Sequence, residues 1–312
     1  MDGGARPDRT VLTGARALAV DAVTAEAVTA LRGARVRSIL LKGPTLAALL
    51  YPGEPRPYVD SDILVPPSEL GRAEAVLTRL GFEQGPVEME PELGLPHARR
   101  WGRTRDDAVV DLHQLIAGVG AAPGELWDEL APLAEPMVVG SVECLVPPVH
   151  AVALVVALHA AQHGPDVARP LEDLRRAVTA IPAEEWRRAA RLADRLDATI
   201  NFASGLRLVD SGAELAECIG LPSASLIDAA RGPYSSTRLA LGFARLADEP
   251  TWRGRLAIGR REVAPSPEHM RWWSPIARRG PLGLAAAYVW RFLQLLWRAP
   301  PSLLAWRRSM RS

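Results

Sequence analysis

Two acidic residues interrupt an apolar segment near residue 60 and are the first candidates for chemistry. Asp60 and Asp62 stand on either side of Ser61 in the segment VDSDILV, residues 59–65. This segment has the length and composition of a strand, in which residues i and i+2 point to the same side. The two carboxylates are therefore expected on one face, about 7 Å apart. They repel each other unless solvent or a cation intervenes, and Mg²⁺ prefers such oxygen ligands.

A third acid, Asp111, occurs in a second strand-like segment, AVVDLHQLI, at residues 108–116. If this strand lies beside the first, Asp111 completes a group of three carboxylates, and His113 shares its face. Two Mg²⁺ ions held by such a group can bind both the attacking and the leaving oxygen of an in-line phosphoryl displacement. The three acids together therefore predict phosphoryl-transfer chemistry.

The same acids also have a purely structural interpretation. Asp60 would cap a turn and Asp62 would pair with Arg56, while Asp111 would pair across a hairpin with an arginine at position 99, 100 or 103. Surface pairs of this kind contribute only about 0–1 kcal/mol. The order of the acids among the other candidate residues favours the chemical interpretation.

Lys42 is the only lysine in a chain with 37 lysine and arginine residues. It ends the apolar run VRSILLK, directly before Gly43-Pro44 and a short helical segment. Backbone amides at such a turn bind phosphate, and a lysine there adds a compact positive charge. We predict that Lys42 and Gly43 bind phosphate, although a surface lysine without a role would also fit this sequence.

The overall composition limits the class of protein. The 312 residues are 48% apolar and 23% charged, as in globular proteins, and the net charge of +1 creates no overall field for nucleic acid. Cys144 and Cys218 form neither a zinc motif nor a disulfide framework. The N-terminus lacks the apolar core of a secretory signal, and no apolar stretch is long enough for a membrane span. We expect a cytoplasmic protein without a nucleic-acid partner.

Hydrophobic patterning predicts an α+β fold, a mixed sheet with flanking helices, followed by an all-helical domain. Strands are predicted at residues 36–42, 59–65, 97–103, 108–116 and 137–147, with a hairpin between the third and fourth. Helices are predicted at residues 13–31, 45–51 and 68–82, with Thr45 and Ser68 as N-caps. The pattern is helical from His150 onward, so we place a domain boundary between residues 1–147 and 148–312.

The helical part contains a group of histidines. His159 and His163 are four residues apart and share one helix face. Ala160 stands where a zinc protease motif would have glutamate, and the sequence offers no third ligand, so zinc binding is not predicted. The pair is expected to face the cleft between the domains or to pack in it, with hydrogen bonding between domains as the structural interpretation.

The C-terminal tail, residues 278–312, is rich in Trp, Leu and Arg. Two interpretations stay open. It forms an amphipathic helix that docks on a partner or a membrane surface, or a terminal helix that packs on its own domain.

Taken in order, these residues resemble those of the DNA-polymerase-beta-type nucleotidyltransferase superfamily. More narrowly, residues 15–180 resemble an uncharacterised bacterial nucleotidyltransferase family. The matching motifs are Leu41-Lys42-Gly43, Arg56, Asp60-Ser61-Asp62 and Asp111-Leu112-His113. The chain departs from the superfamily at Pro44, which replaces the serine of a Gly-Ser turn, and this turn also lies farther from the acids.

The resemblance implies a catalytic domain at residues 1–147, a helical substrate-binding or lid domain after it, and ATP or another NTP as the donor. Asp60 and Asp62 would hold two Mg²⁺ ions, and Asp111 would hold one of them and help to deprotonate the acceptor hydroxyl. Phosphate and nucleotide contacts would come from Lys42, Gly43, Arg56, His113, His159 and His163.

We therefore expect Mg²⁺-dependent transfer of a nucleoside monophosphate, AMP from ATP in the first instance, to an acceptor. The acceptor would be a hydroxyl or similar group of a small molecule, peptide or protein, with peptide natural-product biosynthesis as one setting. Two alternatives remain. One is a degenerate protein that binds a nucleotide or docks a partner without chemistry. The other is a toxin–antitoxin type of enzyme that modifies one dedicated partner.

Overall fold

The computed structural model describes residues 9–85, 97–223, 251–252, 255–256, 267, 270–271 and 274–309. The chain divides into two compact units, residues 1–219 and residues 220–312. All predicted site residues belong to the first unit. The predicted boundary at residue 147 lies inside this unit, where the chain passes from strands to helices, and it stays a prediction.

Five strands of the first unit form a mixed sheet, and two more form a separate hairpin. In chain order they are β1 (Ile39–Leu40), β2 (Ser61–Leu64), β3 (Glu83–Gln84), β4 (Ala98–Arg103), β5 (Ala108–His113), β6 (Glu135–Val139) and β7 (Val142–Val146). The sheet order is β1-β2-β5-β4-β3. Within it β2 and β5 run parallel, and the other neighbouring strands are antiparallel. The mixed sheet and the β4–β5 hairpin predicted from the sequence are confirmed.

Helices flank the sheet and make up the rest of the first unit after β7. They are α1 (Arg9–Gly33), α2 (Pro44–Leu50), α3 (Leu70–Arg79), α4 (Pro123–Leu130), α5 (Val149–His163), α6 (Ala168–Ala180), α7 (Ala183–Arg195), α8 (Thr199–Leu206) and α9 (Asp210–Cys218). Short 3₁₀ turns occur at Pro67–Glu69 and Ala131–Leu133. The α+β class, with helices following the strands, agrees with the sequence prediction.

The core beside the sheet lies on one of its two faces. Leu31 of α1 and Leu77 of α3 form a buried cluster with Ile63 of β2 and with Val110 and Leu112 of β5. Because side chains alternate along a strand, the residues between these apolar ones point to the opposite face. The acidic positions of β2 and β5 therefore lie on the side of the sheet away from α1 and α3.

Both predicted N-caps are wrong, and proline explains each case. Pro44 starts α2 one residue early, so Gly43 takes the N-cap position, and Thr45 donates its hydroxyl to the Leu40 carbonyl instead, at 3.4 Å. Pro67 starts a 3₁₀ turn that includes Ser68, so α3 begins only at Leu70. Proline favours the first helical positions because it has no N–H to leave unpaired there.

The second unit contains a 3₁₀ turn at Pro275–Arg278 and the long helix α10 (Gly280–Ser309). Met270, Ala277 and Ala287 form a small buried cluster, whereas Leu282 and Trp290 of α10 are exposed. In the parts of the chain that the structure describes, no helix is long and apolar enough to cross a membrane. Docking of this tail on a partner or membrane surface stays a prediction.

The packing of α8 against α5 gives a test of the fold. At Gly205 a Cβ atom would overlap the carbonyl oxygen of Ala157 on α5. Gly205→Ala should therefore lower the free energy of unfolding, measured by urea denaturation, by about 1–3 kcal/mol. Gly71→Ala on α3 is the control, because a Cβ there meets nothing within 4 Å. This variant should be as stable as the wild type or slightly more stable. Equal stability of the two variants would contradict this packing.

Candidate active site

The parallel strands β2 and β5 bring two of the predicted acids together. Their register pairs Asp62 with Asp111, so both side chains stand side by side on one face of the sheet. Asp60 lies just before β2 and is partly buried. The negative charges of Asp62 and Asp111 both act on Asp60, so the three acids form one electrostatic group.

Lys42 contacts this group directly. Strand β1 pairs with β2, and the backbone N–H of Leu41 donates to the carbonyl oxygen of Asp62 at 2.9 Å. This pairing places the next residue, Lys42, so that its Nζ lies 2.8 Å from Oδ1 of Asp62. The single lysine therefore lies beside the acids, and its predicted contact with phosphate stays a prediction.

His113 contacts the same carboxylate oxygen. Its Nε2 lies 2.9 Å from Oδ1 of Asp62, and its Nδ1 lies 3.2 Å from the carbonyl oxygen of Leu115. The second contact holds the imidazole ring in one orientation. Asp62 is therefore held from two sides, by an ammonium group and by an imidazole.

The three carboxylates differ in their electrostatic environment. Burial by itself raises the pKa of Asp62, but Lys42 and His113 outweigh burial and hold this pKa well below its usual range. Burial raises the pKa of Asp60, and the charges of Asp62 and Asp111 raise it further. Burial also raises the pKa of Asp111, where the charge of Asp62 acts in the same direction and His113 opposes it. The negative charge of Asp62 is thus compensated by Lys42, whereas the charges of Asp60 and Asp111 are poorly compensated.

The chemistry of these oxygens fits a hard divalent cation. Oδ1 of Asp111 is buried and has no hydrogen-bond partner, which is unfavourable for a carboxylate. Carboxylates are preferred ligands of Mg²⁺, and a divalent cation would relieve the repulsion among the three acids. Over the described residues, no group of three or more His, Cys, Asp and Glu side chains already has the arrangement of a metal site.

Gly43 determines the shape of the turn between β1 and α2. Its φ of 65° and ψ of −110° are unfavourable for residues with a side chain, and a Cβ there would lie 3.4 Å from the ring of Tyr58. The next residue, Pro44, has no N–H to donate to a phosphate. The turn therefore offers fewer backbone N–H donors to a phosphate than the Gly-Ser turn of the superfamily does. The contact between Gly43 and phosphate stays a prediction.

Arg56 binds a residue of the helical part. Its Nε and Nη2 donate to Oδ1 and Oδ2 of Asp173 on α6, at 3.0 and 2.6 Å, and the Tyr51 hydroxyl also donates to Oδ1, at 2.7 Å. Only 5% of the Arg56 side chain and 1% of the Asp173 side chain are exposed. Arg56 therefore links the loop before β2 to α6. Its contact with phosphate stays a prediction.

The salt bridges predicted by the structural interpretation of the acids are replaced by others. Asp62 pairs with Lys42 instead of Arg56. Arg99 pairs with Glu74, and Arg103 pairs with Glu26 and Asp106. Arg100 lies opposite Asp111 in the β4–β5 register and lowers its pKa only as a lesser effect.

A small cavity of about 30 Å³ lies between α5 and the ends of β1 and β5. Its polar wall contains Lys42, His97, His113, His159 and Gln162. His163 is not part of this wall, but its ring meets that of His159 edge to face, with the centroids 4.5 Å apart. Burial, together with the charge of Lys42, lowers the pKa of His159 and of His163. His159 therefore lines the same cavity as Lys42, and the function of the pair stays a prediction.

One residue near the site, His97, and one pairing, that of Asp173 with Arg56, were not predicted from the sequence. His97 lines the cavity, and burial and the nearby His113 lower its pKa to about 4. The hairpin register places Ala98 opposite His113. Because the hairpin was predicted, the position of His97, next to Ala98 and therefore close to His113, could have been inferred from the sequence. Asp173 lies 117 residues from Arg56, and no local pattern in the sequence indicates that pairing.

Comparisons with known proteins give one family. The chain matches the family described as "Uncharacterised nucleotidyltransferase" over residues 8–211, about two thirds of its length. A search of curated proteins gives no match. Among solved structures, the antibiotic-resistance factor ANT(2'')-Ia is similar to 57% of this chain over 93% of its own, with 18% identity and a TM-score of 0.41. At this identity and TM-score, the similarity supports no conclusion about the site.

Two substitutions within the acidic group should change stability in opposite directions. Without metal, Asp62→Asn removes the partner of Lys42 and should lower the free energy of unfolding by about 3–5 kcal/mol. Asp111→Asn removes a buried, poorly compensated charge and should raise it by about 1 kcal/mol. Urea denaturation in EDTA measures both.

The pH dependence of the Asp111→Asn effect has a defined sign. The pKa of Asp111 is raised in the folded state, so the wild type loses stability as pH rises through that pKa. The stabilisation of the variant should therefore increase as pH rises above the usual pKa of aspartate and disappear as pH falls to about 4. Destabilisation by Asp111→Asn at neutral pH would contradict the proposed charge imbalance.

The buried Arg56–Asp173 pair can be tested with a double-mutant cycle. Asp173→Leu leaves the Arg56 guanidinium buried without its carboxylate and should lower the free energy of unfolding by about 3–5 kcal/mol. Arg56→Met with Asp173→Leu should recover most of this loss. Tyr51→Phe is the control and should lose about 1 kcal/mol. Additive effects of the two main substitutions would show that the pair is not coupled.

Proposed function

The chain belongs to the uncharacterised nucleotidyltransferase family, and on that premise we propose that Asp60, Asp62 and Asp111 form the metal-binding part of its active site. The proposed reaction transfers a nucleoside monophosphate, AMP from ATP in the first instance, to an acceptor hydroxyl and releases pyrophosphate. The observation that carries this proposal is the pairing of Asp62 with Asp111 on parallel strands, with a buried oxygen of Asp111 left without a partner.

The metal site would take Mg²⁺, with Asp60 and Asp62 as ligands and Asp111 as a further ligand of one of two ions. When bound, such ions stabilise charge on the attacking and leaving oxygens of a phosphoryl displacement. The chain itself contributes the positions of the acids. The β2–β5 register fixes two of them, and the packed face beneath holds the strands in place.

Lys42 and Gly43 would bind the phosphates of the nucleotide. Gly43 has a backbone conformation that favours glycine, and a side chain there would meet the Tyr58 ring. The ammonium of Lys42 lies beside the acids, where charge must be neutralised when a triphosphate arrives. Arg56 would act mainly by fixing the loop that leads into Asp60, because Asp173 binds its guanidinium.

Asp111 would also accept the proton of the acceptor hydroxyl. A general base works best when its pKa is close to the working pH, and burial raises the pKa of Asp111 in that direction. Asp111 would then combine metal binding with proton transfer.

The histidines near Lys42 would contact the nucleotide or the acceptor. His113 holds Asp62, and His159 lines the cavity on the α5 side with His163 against its ring. The acceptor is a small molecule, peptide or protein, and peptide natural-product biosynthesis in the cytoplasm is the setting we propose. The roles of the histidines rest on their positions beside Lys42 and Asp62 and on the family, so a test of function needs acceptors of several kinds.

Asp111→Asn provides the test of function, because this variant is expected to fold at least as stably as the wild type. Purified protein is incubated with Mg²⁺ and each α-³²P-labelled NTP, together with a bacterial extract separated into small molecules and proteins. The wild type should transfer label to one fraction and release pyrophosphate. Asp111→Asn should lose on the order of 10²–10⁴-fold in rate.

His150→Gln is the matched control, since His150 lies on α5 beside Glu185 and is not part of the cavity. It should retain the wild-type rate. An unchanged rate in Asp111→Asn would contradict the proposed site. Binding of nucleotide and metal by the wild type without any pyrophosphate release would instead support the degenerate binding protein, and label on a single protein would support the dedicated-partner enzyme.

A further inference from the structure

The contact between Lys42 and Asp62 is the basis of a further inference. Nζ of Lys42 lies 2.8 Å from Oδ1 of Asp62, and His113 holds the same oxygen at 2.9 Å. Both side chains of the ion pair are largely buried, with 18% and 7% exposed. A metal ligand and a candidate phosphate ligand are therefore bound to each other in this structure.

Lys42 compensates more than one acid. Burial alone would lower its pKa, but the charges of Asp62, Asp60 and Asp111 raise it. The same lysine lowers the pKa of all three acids. Its single positive charge is thus the largest cationic influence on Asp60 and Asp62, whereas His113 and Arg100 act more strongly on Asp111.

A divalent cation and this ammonium would compete for the same oxygen. Two cations at one carboxylate oxygen repel each other, so a metal ion can bind Asp62 fully only if Lys42 moves away. A buried ammonium that leaves its carboxylate needs another anion, because an unpaired buried charge is very unfavourable. The phosphates of a nucleotide would supply that anion.

We infer that Lys42 is the resident counter-cation of the acidic group and exchanges to the nucleotide phosphates when the metal binds. Metal and nucleotide then bind in a mutually dependent way. Metal alone must displace Lys42 without giving it a new partner, and nucleotide alone meets a lysine that is already paired. This inference rests on the proposed metal-binding role of Asp60, Asp62 and Asp111.

The exchange explains why one lysine is useful in an arginine-rich chain. An ammonium is a compact charge on a flexible stem and can move between two anions, whereas a guanidinium binds in a planar, two-pronged geometry. Arg56 illustrates the second behaviour, because two of its nitrogens hold both oxygens of Asp173 in a buried site. Lys42 would change partner, and Arg56 would keep its partner.

Isothermal titration calorimetry with Mn²⁺ tests the exchange through binding alone. The full-length protein is titrated with Mn²⁺ with and without a non-hydrolysable ATP analogue. In the wild type the analogue should tighten Mn²⁺ binding by about 5–150-fold, the usual range of coupling between two sites. Without the analogue, Lys42→Met should bind Mn²⁺ more tightly than the wild type does. The tightening caused by the analogue should be smaller than in the wild type, because only the direct contact of Mn²⁺ with the phosphates remains.

Two further variants keep the test interpretable. Lys42→Gln removes the charge but keeps a hydrogen-bond donor for Asp62, and it replaces Lys42→Met if that variant does not fold. Arg187→Met removes an exposed positive charge on α7 and should bind Mn²⁺ as the wild type does.

The outcomes separate this inference from the proposed function. Tighter Mn²⁺ binding in the Lys42 variants, with the coupling reduced, supports both. Equal or weaker Mn²⁺ binding in those variants overturns the exchange but leaves the metal site standing. If no protein binds Mn²⁺ even with the analogue, the acidic group is not a metal site, and the exchange fails with it.

Discussion

The burial of three carboxylates around one ammonium group is the constraint on which the rest of the site depends. Asp62 satisfies its charge with Lys42 and His113, whereas burial and mutual repulsion leave Asp60 and Asp111 poorly compensated. A protein keeps such an imbalance only if the surrounding fold is stable enough to enforce it. Here the enforcement comes from the β2–β5 register and from the apolar face packed against α1 and α3.

The helical part of the first unit contributes to the site through buried polar contacts. Asp173 of α6 binds Tyr51, at the end of α2, and Arg56, within the loop that precedes Asp60. From α5, His159 faces Lys42 across a small cavity. The helices after β7 therefore contact the residues around the acids, and the family match includes these helices as far as residue 211.

Local sequence patterns predicted much of this arrangement. They did not predict which segments pair when those segments are far apart in the chain. The alternation in VDSDILV and AVVDLHQLI indicated the faces of Asp62 and Asp111, and the hairpin followed from a short polar turn. The parallel pairing of β2 with β5 and the salt bridge of Arg56 with Asp173 depend on tertiary packing between distant segments. The N-caps at Thr45 and Ser68 were wrong because a neighbouring proline changed where each helix starts.

The most direct test of the central claim is anomalous diffraction from crystals grown with Mn²⁺ and a non-hydrolysable ATP analogue. The account predicts an anomalous peak at the typical distance of a hard divalent cation, about 2.0–2.6 Å, from oxygens of Asp62 and Asp111. It also predicts that Nζ of Lys42 has left Asp62 for a phosphate oxygen. Mn²⁺ and nucleotide bound elsewhere, with the contact between Lys42 and Asp62 intact, would contradict it.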